Sequence, residues 1–401
     1  MIRKILWVLV ASVCVWSAGC TVNVNHSGKS DDAAKEKETS SNPDSPKPDS
    51  VAEPTDQATS TQSAKEKKPT QAQDDPEAVK SLESLGATLK KDKDGQTVEV
   101  SFRGTTVDES FLTALAKLPR LKSLVLTESG VTDENLKNIG SLKTLRNLDL
   151  RGCKTSNAGI AALSGLTDLQ ALRLNGKNGA TTVDDTGLAS VAQLTNLKVL
   201  LLDHLWIGDA GLKHLAPLKN LEELYLASTM TSDAGLEAIQ SLVKLRALRI
   251  SATQITSQGL VSIGKLAKLE QLDLSENSQV FDEGLAHLTG LKSLKDLNLW
   301  RVRITDAGVQ HLAGIVSLEI LNLDNTQLTD AGLVHLEGLK NLTFLHLGST
   351  AVSDAGMDHL AGLTTLKKLV VTRTAVTAAG VEGLKPKLPN TQIQLDFVPG
   401  E

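Results

Sequence analysis

The stretch LEILNLDNTQLTDAGLVHLEGLKN, residues 318–341, decides the fold because it combines a strand, a turn and a helix within 24 residues. Its first part alternates: Leu321 and Leu323 point to one side and the polar residue between them points to the other, which is the period of a β-strand. Asn325 and Thr326 then end the alternation with residue types that favour turns.

The second half of the stretch predicts a short helix. Thr329 and Asp330 carry side-chain oxygens that can accept hydrogen bonds from the first backbone N–H groups of a helix. Leu333, Leu336 and Leu339 follow at spacings of three, so they share one helical face. One strand and one short helix cannot enclose a core, and these leucines can be buried only against a copy of the same unit.

The copies are present, and most of them are 24 residues long. An early unit begins at Thr97, with Val100 and Phe102 in place of leucines. Extra residues occur around Gly179–Thr182 (four), Ser278 (one) and Pro386 (one). Counted from the first leucine of the pattern, the remaining units begin at Leu121, Leu145, Leu169, Leu197, Leu221, Leu245, Leu269, Leu294, Leu318, Leu342 and Leu366.

The repeated pattern resembles the leucine-rich repeat of the cysteine-containing, ribonuclease-inhibitor-like type in a short form. It reads LxxLxL, then Thr, Cys or Asn, then (V/I)(T/S)DAGL, and it is most similar to secreted bacterial leucine-rich repeat lipoproteins. The resemblance covers residues 97–397, about twelve repeats of 24 residues. It implies an α/β solenoid, with parallel strands on a concave face and short helices on a convex face.

Residues 1–19 are predicted to be a signal peptide of the lipoprotein type. A basic start precedes an apolar run over residues 5–15, which is too short to span a membrane, and small residues follow. Gly19-Cys20 resembles the bacterial lipobox, in which the cysteine becomes the acylated first residue of the mature chain. The alternative is ordinary cleavage near Ala18 or Gly19, which leaves a free thiol at Cys20.

Residues 20–75 are predicted to be a disordered linker, because they are polar, contain five prolines and have almost no large apolar side chains. About 55 residues of coil reach roughly 40 Å, enough to hold the repeats away from a membrane. Residues 76–96 predict a cap for the solenoid, formed by a helix that starts at Pro76 and a hairpin that turns at Asp94-Gly95.

The three cysteines do not predict a disulfide. Cys14 leaves with the signal peptide, and Cys20 is the predicted acylation site. Cys153 occupies the position that threonine fills in six other units, between the strand and the turn. We therefore expect Cys153 to be a buried packing residue rather than a nucleophile.

Two ladders of titratable residues recur once per unit. The aspartates fall at predicted helix starts, where the helix dipole and capping favour a carboxylate, so we expect a structural role. The histidines fall on the helical side, where neighbouring helices lie roughly 8–10 Å apart, too far for adjacent rings to share a zinc ion. No metal is predicted at either ladder, which comprise Asp133, Asp185, Asp209, Asp233, Asp282, Asp306, Asp330 and Asp354, and His214, His287, His311, His335 and His359.

The outward positions of the strands are the predicted partner site, because they form a continuous surface on the concave side. Trp300 beside Arg301 is the expected anchor, since aromatic and arginine side chains dominate binding energies. The predicted contact residues, placed at outward strand positions in consecutive units, are Tyr225, Arg249, Asp273, Trp300, Arg301, Asp324 and His346.

The leading functional hypothesis is a non-enzymatic binding module: a monomeric envelope lipoprotein, anchored to a bacterial membrane through lipid, that binds a protein or peptide. No P-loop, GxSxG, HExxH or dinucleotide-binding turn is present, so neither catalysis nor a cofactor is predicted. The formal net charge is −5 and no block of lysine or arginine stands out in the repeats, which disfavours a nucleic-acid partner.

Two other binding functions are weighed against it. Recognition of a cell-wall glycan is the alternative, since aromatic, Asp, Asn and Arg side chains also bind sugars. An adaptor similar to the leucine-rich repeat subunits of ubiquitin ligases ranks below both, because no F-box-like helices are found and a secretory signal argues against that role.

Overall fold

Each repeat contributes one short strand to a single open sheet in which the spatial order of the strands follows the chain. The computed structural model describes residues 73–103 and 107–396. The first two strands are antiparallel and every later neighbour is parallel. The strands are β1 (Thr88–Lys91), β2 (Thr97–Ser101), β3 (Ser123–Val125), β4 (Asn147–Asp149), β5 (Ala171–Asn175), β6 (Val199–Asp203), β7 (Glu223–Tyr225), β8 (Ala247–Arg249), β9 (Gln271–Asp273), β10 (Asp296–Asn298), β11 (Ile320–Asn322), β12 (Phe344–His346), β13 (Lys368–Val370) and β14 (Gln392–Gln394).

Short helices alternate with these strands and pack against one another. The predicted α/β leucine-rich solenoid is therefore confirmed. The α-helices are α1 (Pro76–Ser84), α2 (Glu109–Ala116), α3 (Asp133–Ile139), α4 (Asn157–Ala162), α5 (Asp185–Val191), α6 (Asp209–Lys213), α7 (Asp233–Ile239), α8 (Leu260–Ile263), α9 (Asp282–Leu285), α10 (Asp306–Gln310), α11 (Asp330–Leu333) and α12 (Ala378–Leu384). Turns of 3₁₀ helix cover Ser257–Gly259, Ala286–Leu288, Val334–Leu336 and Asp354–Leu360.

The core is a continuous column of leucines between the sheet and the helices. In the unit that begins at Leu318, the strand leucines Leu321 and Leu323 are fully buried, as are Leu336 and Leu339 after the turn. The predicted spacing of three is explained by the helix type: α11 continues into a 3₁₀ turn, which has three residues per turn.

The aspartate ladder is structural, but its role differs from the expected cap. Thr329 is the N-cap of α11, and its hydroxyl accepts a hydrogen bond from the N–H of Ala331 at 3.3 Å. Asp306, in the preceding repeat, accepts from the Thr329 N–H at 2.8 Å and from the Thr329 hydroxyl at 2.6 Å. Each aspartate therefore fixes the cap residue of the next repeat. The same pairing joins Asp133 to Ser156, Asp209 to Ser232, Asp233 to Thr256, Asp282 to Thr305, Asp330 to Ser353 and Asp354 to Thr377.

The position between strand and turn is a hydrogen-bonding site in the core. Thr326 donates from its hydroxyl to the carbonyl of Leu323 at 2.8 Å, just after Asn325 adopts a left-handed φ of +58°. Cys153 fills the same position and donates from Sγ to the carbonyl of Leu126 at 2.9 Å. Its side chain is fully buried and burial raises the pKa of the thiol, so Cys153 is a packing residue, as predicted.

At the amino-terminal end, α1 and the β1–β2 hairpin cover the first repeat. Asp75 caps α1 by accepting from the N–H groups of two residues in its first turn. Arg120, the last residue of the first repeat, holds the hairpin turn through Asp92 at 2.8 Å and Asp94 at 2.9 Å.

Several predicted segments lie outside the described residues. These are the signal peptide with Cys20, all but the last three residues of the linker, and residues 104–106 and 397 of the predicted repeats. Among the helices that the structure describes, none has the length and apolar character that crossing a membrane requires.

Candidate functional site

The outward side chains of the sheet form three parallel rows, which we together call the strand face. The first row precedes the central leucine of each strand, the middle row follows it, and the third row lies two residues further on. Strand pairing places six residues of the middle row side by side, four of them from the predicted contact set. In order they are Tyr225, Arg249, Asp273, Asn298, Asn322 and His346.

The predicted contact residues therefore do not lie on one row. Tyr225, Arg249, Asp273 and His346 belong to the middle row, whereas Trp300 and Asp324 belong to the third, beyond the ends of β10 and β11. Arg301 is not at a strand position, because it has a φ of +56° and forms the turn that follows. The sequence pattern misplaced it because a left-handed residue reverses the alternation of side chains.

Arg249 organises the charges in the centre of the strand face. Its guanidinium contacts Asp203 at 3.1 Å and Asp273 at 3.4 Å, so one cation bridges two carboxylates from different repeats. Burial raises the pKa of Asp203, and the charge of Arg249 opposes that shift. Burial also raises the pKa of Tyr225 to about 12, which keeps the phenol neutral and able to donate a hydrogen bond.

Asp296, in the first row, is an acid whose pKa is displaced toward neutrality. Burial, with a further contribution from the charge of Asp273, raises the pKa of its carboxyl to about 6. Asp273 itself accepts hydrogen bonds from Asn298 at 3.0 Å and Ser275 at 2.7 Å. The strand face therefore carries a carboxyl that gains its charge close to neutral pH.

His346 and Asp324 lie near each other without forming an ion pair. Their Nδ1 and Oδ1 atoms are 3.9 Å apart, and the Nδ1 of His346 accepts a hydrogen bond from the N–H of Gly348 at 3.2 Å. An accepting nitrogen carries no proton, so His346 is neutral, and burial lowers the pKa of its ring accordingly. The other ring nitrogen, Nε2, then carries the proton and is a hydrogen-bond donor.

Trp300 and Arg301 form a stacked pair where the strands end. The guanidinium carbon of Arg301 lies 5.2 Å from the centroid of the Trp300 ring, and a nitrogen of the guanidinium contacts Glu276 at 3.0 Å. Trp300 is half-buried and Arg301 is exposed. The pair is held in place before any partner arrives, which lowers the entropy cost of binding.

An exposed apolar pair was missed by the sequence reasoning. Trp206 is 70% exposed, and Met230, at the corresponding position of the next repeat, is 40% exposed. The N–H of Met230 donates to the carbonyl of Ile207 at 2.8 Å, which sets the two repeats side by side. Both residues lie just after the strands, on what we call the carboxyl rim. The alternation of the strand does not reveal Trp206, because this residue lies beyond the end of β6 at Asp203.

A basic surface was also missed, on the opposite side of the sheet from the carboxyl rim. The connections that run from each helix into the next strand carry 17 lysines and arginines against five acids, and we call this side the basic edge. The cations never form a block in the sequence because they recur at repeat spacing. They are Lys117, Arg120, Lys122, Lys143, Arg146, Lys198, Lys219, Lys244, Arg246, Lys265, Lys268, Lys292, Lys295, Lys340, Lys367, Lys385 and Lys387. The lack of a block of lysine or arginine in the sequence therefore does not by itself argue against a nucleic-acid partner.

The histidine ladder lies on the helical side and varies from half-buried to exposed. His359 contacts Glu337 of the preceding repeat at 2.6 Å. Within residues 73–103 and 107–396, no group of three or more histidine, cysteine or acidic side chains is arranged to hold a metal ion.

Comparison with known proteins gives a family match and several structural matches. A family model described as "Leucine-rich repeat region" matches residues 100–398. An internalin, InlF of Listeria monocytogenes, is 21% identical with a TM-score of 0.57, covering 80% of this chain and 89% of its own. A leucine-rich repeat protein of Leptospira interrogans is 18% identical with a TM-score of 0.45, covering 79% of this chain and 98% of its own. Comparison with curated proteins gave no match.

Proposed function

This chain belongs to the leucine-rich repeat family, and from that premise we propose that it is a binding protein of the bacterial cell envelope. It captures a protein or peptide on its strand face, and a lipid on Cys20 anchors it to the membrane. The fold suggests a protein-interaction module, and leucine-rich repeat proteins are typically scaffolds without catalytic activity. The cell-envelope location is supported by the sequence alone.

The observation that carries the proposal is the middle row of the strand face. Six repeats present a phenol, a guanidinium, a carboxylate, two amides and an imidazole in register. At about 4.8 Å between strands, these six positions span roughly 25 Å, which matches an extended peptide or the edge of a domain. These side chains place hydrogen-bond donors and acceptors in a fixed order, so the row selects a partner with a complementary pattern.

We infer that apolar side chains beside this row supply most of the binding energy. The Trp300–Arg301 pair adjoins it at the end of β10, and Trp206 with Met230 lies on the same carboxyl rim four repeats earlier. Large exposed aromatic side chains are uncommon on free surfaces and are enriched in binding hot spots. We therefore place the partner on the strand face, in contact with the carboxyl rim.

The test compares the affinity of matched variants for proteins and peptides from envelope extract and for purified cell-wall glycans. Trp300→Ala is expected to weaken binding of a protein partner by about 2 kcal/mol or more, with little effect on folding. Trp206→Ala is expected to weaken it as well. His335→Ala, on the helical side, is the control that should change neither binding nor folding.

Three outcomes oppose the proposal. Equal loss from Trp300→Ala and His335→Ala places the partner on another surface. Loss from Trp206→Ala alone moves the site to the carboxyl rim and the adjoining four-residue insertion at Gly179–Thr182. Retention of glycans, and not of proteins, by the wild-type chain supports the glycan-binding alternative.

A further inference from the structure

Charge is distributed very unevenly around the solenoid. The described residues contain 33 lysines and arginines and 37 acids, so the total is nearly balanced. The basic edge nevertheless has a formal charge of +12, which leaves −16 on all other described surfaces together. A protein with this separation of charge has a preferred orientation in an electric field from an anionic surface.

The basic edge is one continuous strip. Its segments are joined by backbone hydrogen bonds from repeat to repeat, such as Arg146 N–H to Lys122 at 2.8 Å and Glu319 N–H to Lys295 at 2.7 Å. With strands about 4.8 Å apart, twelve repeats give a strip roughly 50 Å long. All but one of its 17 cationic side chains are exposed, Arg120 being half-buried.

The acids of the strip neutralise only part of this charge. Lys198 contacts Glu222 at 3.1 Å, and Arg246 contacts Glu270 at 2.6 Å. Acids also pair with Arg120 and with four more lysines, Lys117, Lys295, Lys385 and Lys387. Six lysines of the strip donate instead to neutral oxygens, as when Lys292 donates to the carbonyl of Gly314 at 3.1 Å. Hydrogen bonds to neutral oxygens leave the lysine charge uncompensated, so the strip attracts anions.

We propose that the basic edge binds the phosphate-bearing surface of a membrane rich in anionic phospholipids and lays the repeat domain side-on against the bilayer. Fourteen of the 17 cations are lysines, point charges that bind phosphate without demanding a fixed geometry. Val243 and Val316 lie on the same strip and are 58% and 55% exposed, which suits the boundary between headgroups and acyl chains.

Single-stranded nucleic acid fits this strip less well than a membrane. Proteins that bind single strands stack the bases on aromatic side chains, and none of the segments of the strip contains one. In the side-on orientation the acidic surfaces point away from the anionic bilayer, and the strand face remains open to a partner. The proposal is independent of acylation at Cys20, because it uses the repeats alone.

The experiment measures binding of residues 72–401 to vesicles. This fragment holds every described core residue, from Ala78 to Leu388, and omits the signal peptide and the linker. The probes are vesicles of phosphatidylcholine alone and vesicles with about one third phosphatidylglycerol. Binding is expected only to the anionic vesicles and is expected to disappear at high salt.

Matched variants locate the contact. Lys244→Glu, Lys268→Glu and Lys292→Glu together reverse three charges of the strip and are expected to weaken binding about 100-fold or more. The control combines Lys154→Glu, Lys177→Glu and Lys213→Glu, which make the same change in net charge elsewhere. The control set is expected to weaken vesicle binding by less than about tenfold. Unchanged urea midpoints in both sets would verify folding. The corresponding Lys→Gln set serves if the glutamate set does not fold.

No binding to anionic vesicles at low salt would overturn the proposal, as would equal losses in the two sets of variants. Tighter binding of single-stranded RNA or duplex DNA than of vesicles, abolished by the same three substitutions, would also overturn it and assign the strip to nucleic acid.

Discussion

The glycine of the Asp-Ala-Gly-Leu sequence sets how closely two repeats approach. A Cβ atom on Gly332 would lie 2.3 Å from the Oδ1 of Asp306 and 2.4 Å from the Cδ1 of Leu328. The same oxygen of Asp306 holds the N–H of Thr329, so a larger residue would displace the contact between the repeats. Packing against the neighbour, and not a special backbone angle, explains this glycine.

Gly332→Ala is therefore expected to destabilise the domain by about 1–3 kcal/mol, measured as a lower urea midpoint. Gly383→Ala in α12 is the matched control, because no neighbouring atom lies within 4 Å of its added Cβ. It is expected to be neutral or stabilising by up to about 1 kcal/mol, through helix propensity. Equal destabilisation by both substitutions would contradict the close-packing argument.

Asp296 predicts a pH dependence of stability. Its folded pKa of about 6 lies above its ordinary value of 3.8, so the folded state binds the proton more tightly than the unfolded state. The protonated carboxyl of Asp296 therefore makes its full contribution to stability below pH 4, and this contribution is lost as the pH rises through 6. Asp296→Asn is expected to raise the urea midpoint at pH 7 and to flatten the change between pH 4 and pH 7. An identical pH profile in the variant would show that Asp296 does not titrate in this window.

One repeat shares its leucines with both neighbours. Leu323 is fully buried, so Leu323→Ala is expected to leave a cavity that costs about 2–5 kcal/mol. Asp330 accepts from the N–H of Ser353 at 2.7 Å and from its hydroxyl at 2.6 Å. Asp330→Ala is expected to cost about 1–3 kcal/mol, because it leaves both donors unpaired at the repeat boundary.

Both variants are compared by urea denaturation with Gln327→Ala, an exposed substitution expected to change stability by less than about 0.5 kcal/mol. A larger loss from Asp330→Ala than from Leu323→Ala, together with loss of partner binding, would show that the aspartate ladder serves function and not only structure.

The same element shows what the sequence determines and what it does not. Alternating Leu321 and Leu323 predicted the strand, and leucines at spacings of three predicted the helix, because these leucines must be buried together. The 3₁₀ turn that continues the helix was not predicted. The partner of Asp330 was not predictable from one repeat, since that partner, Ser353, belongs to the next. Arg301 was misplaced because the left-handed residue that ends the alternation is not marked by a glycine.

The surfaces of the solenoid separate according to their place in the repeat. The basic edge precedes each strand, the strand face lies along the strands, and the carboxyl rim follows them. The basic edge is not apparent along the sequence, because Lys244, Lys268 and Lys292 are 24 residues apart. Only stacking of the repeats makes them neighbours.

The two proposed sources of membrane attachment, an acyl chain and the basic edge, respond differently to salt. An acyl chain on Cys20 binds through burial of methylene groups, which salt does not weaken, whereas the basic edge binds through charge, which salt screens. In cells expressing the full chain, the wild-type protein is expected to stay with the membrane fraction after a high-salt wash. Cys20→Ala is expected to be released by that wash, and Cys14→Ala, within the predicted signal peptide, is expected to behave as wild type. Retention of Cys20→Ala after the wash would rule out acylation at Cys20 as the anchor, whatever the vesicle experiment shows for the basic edge.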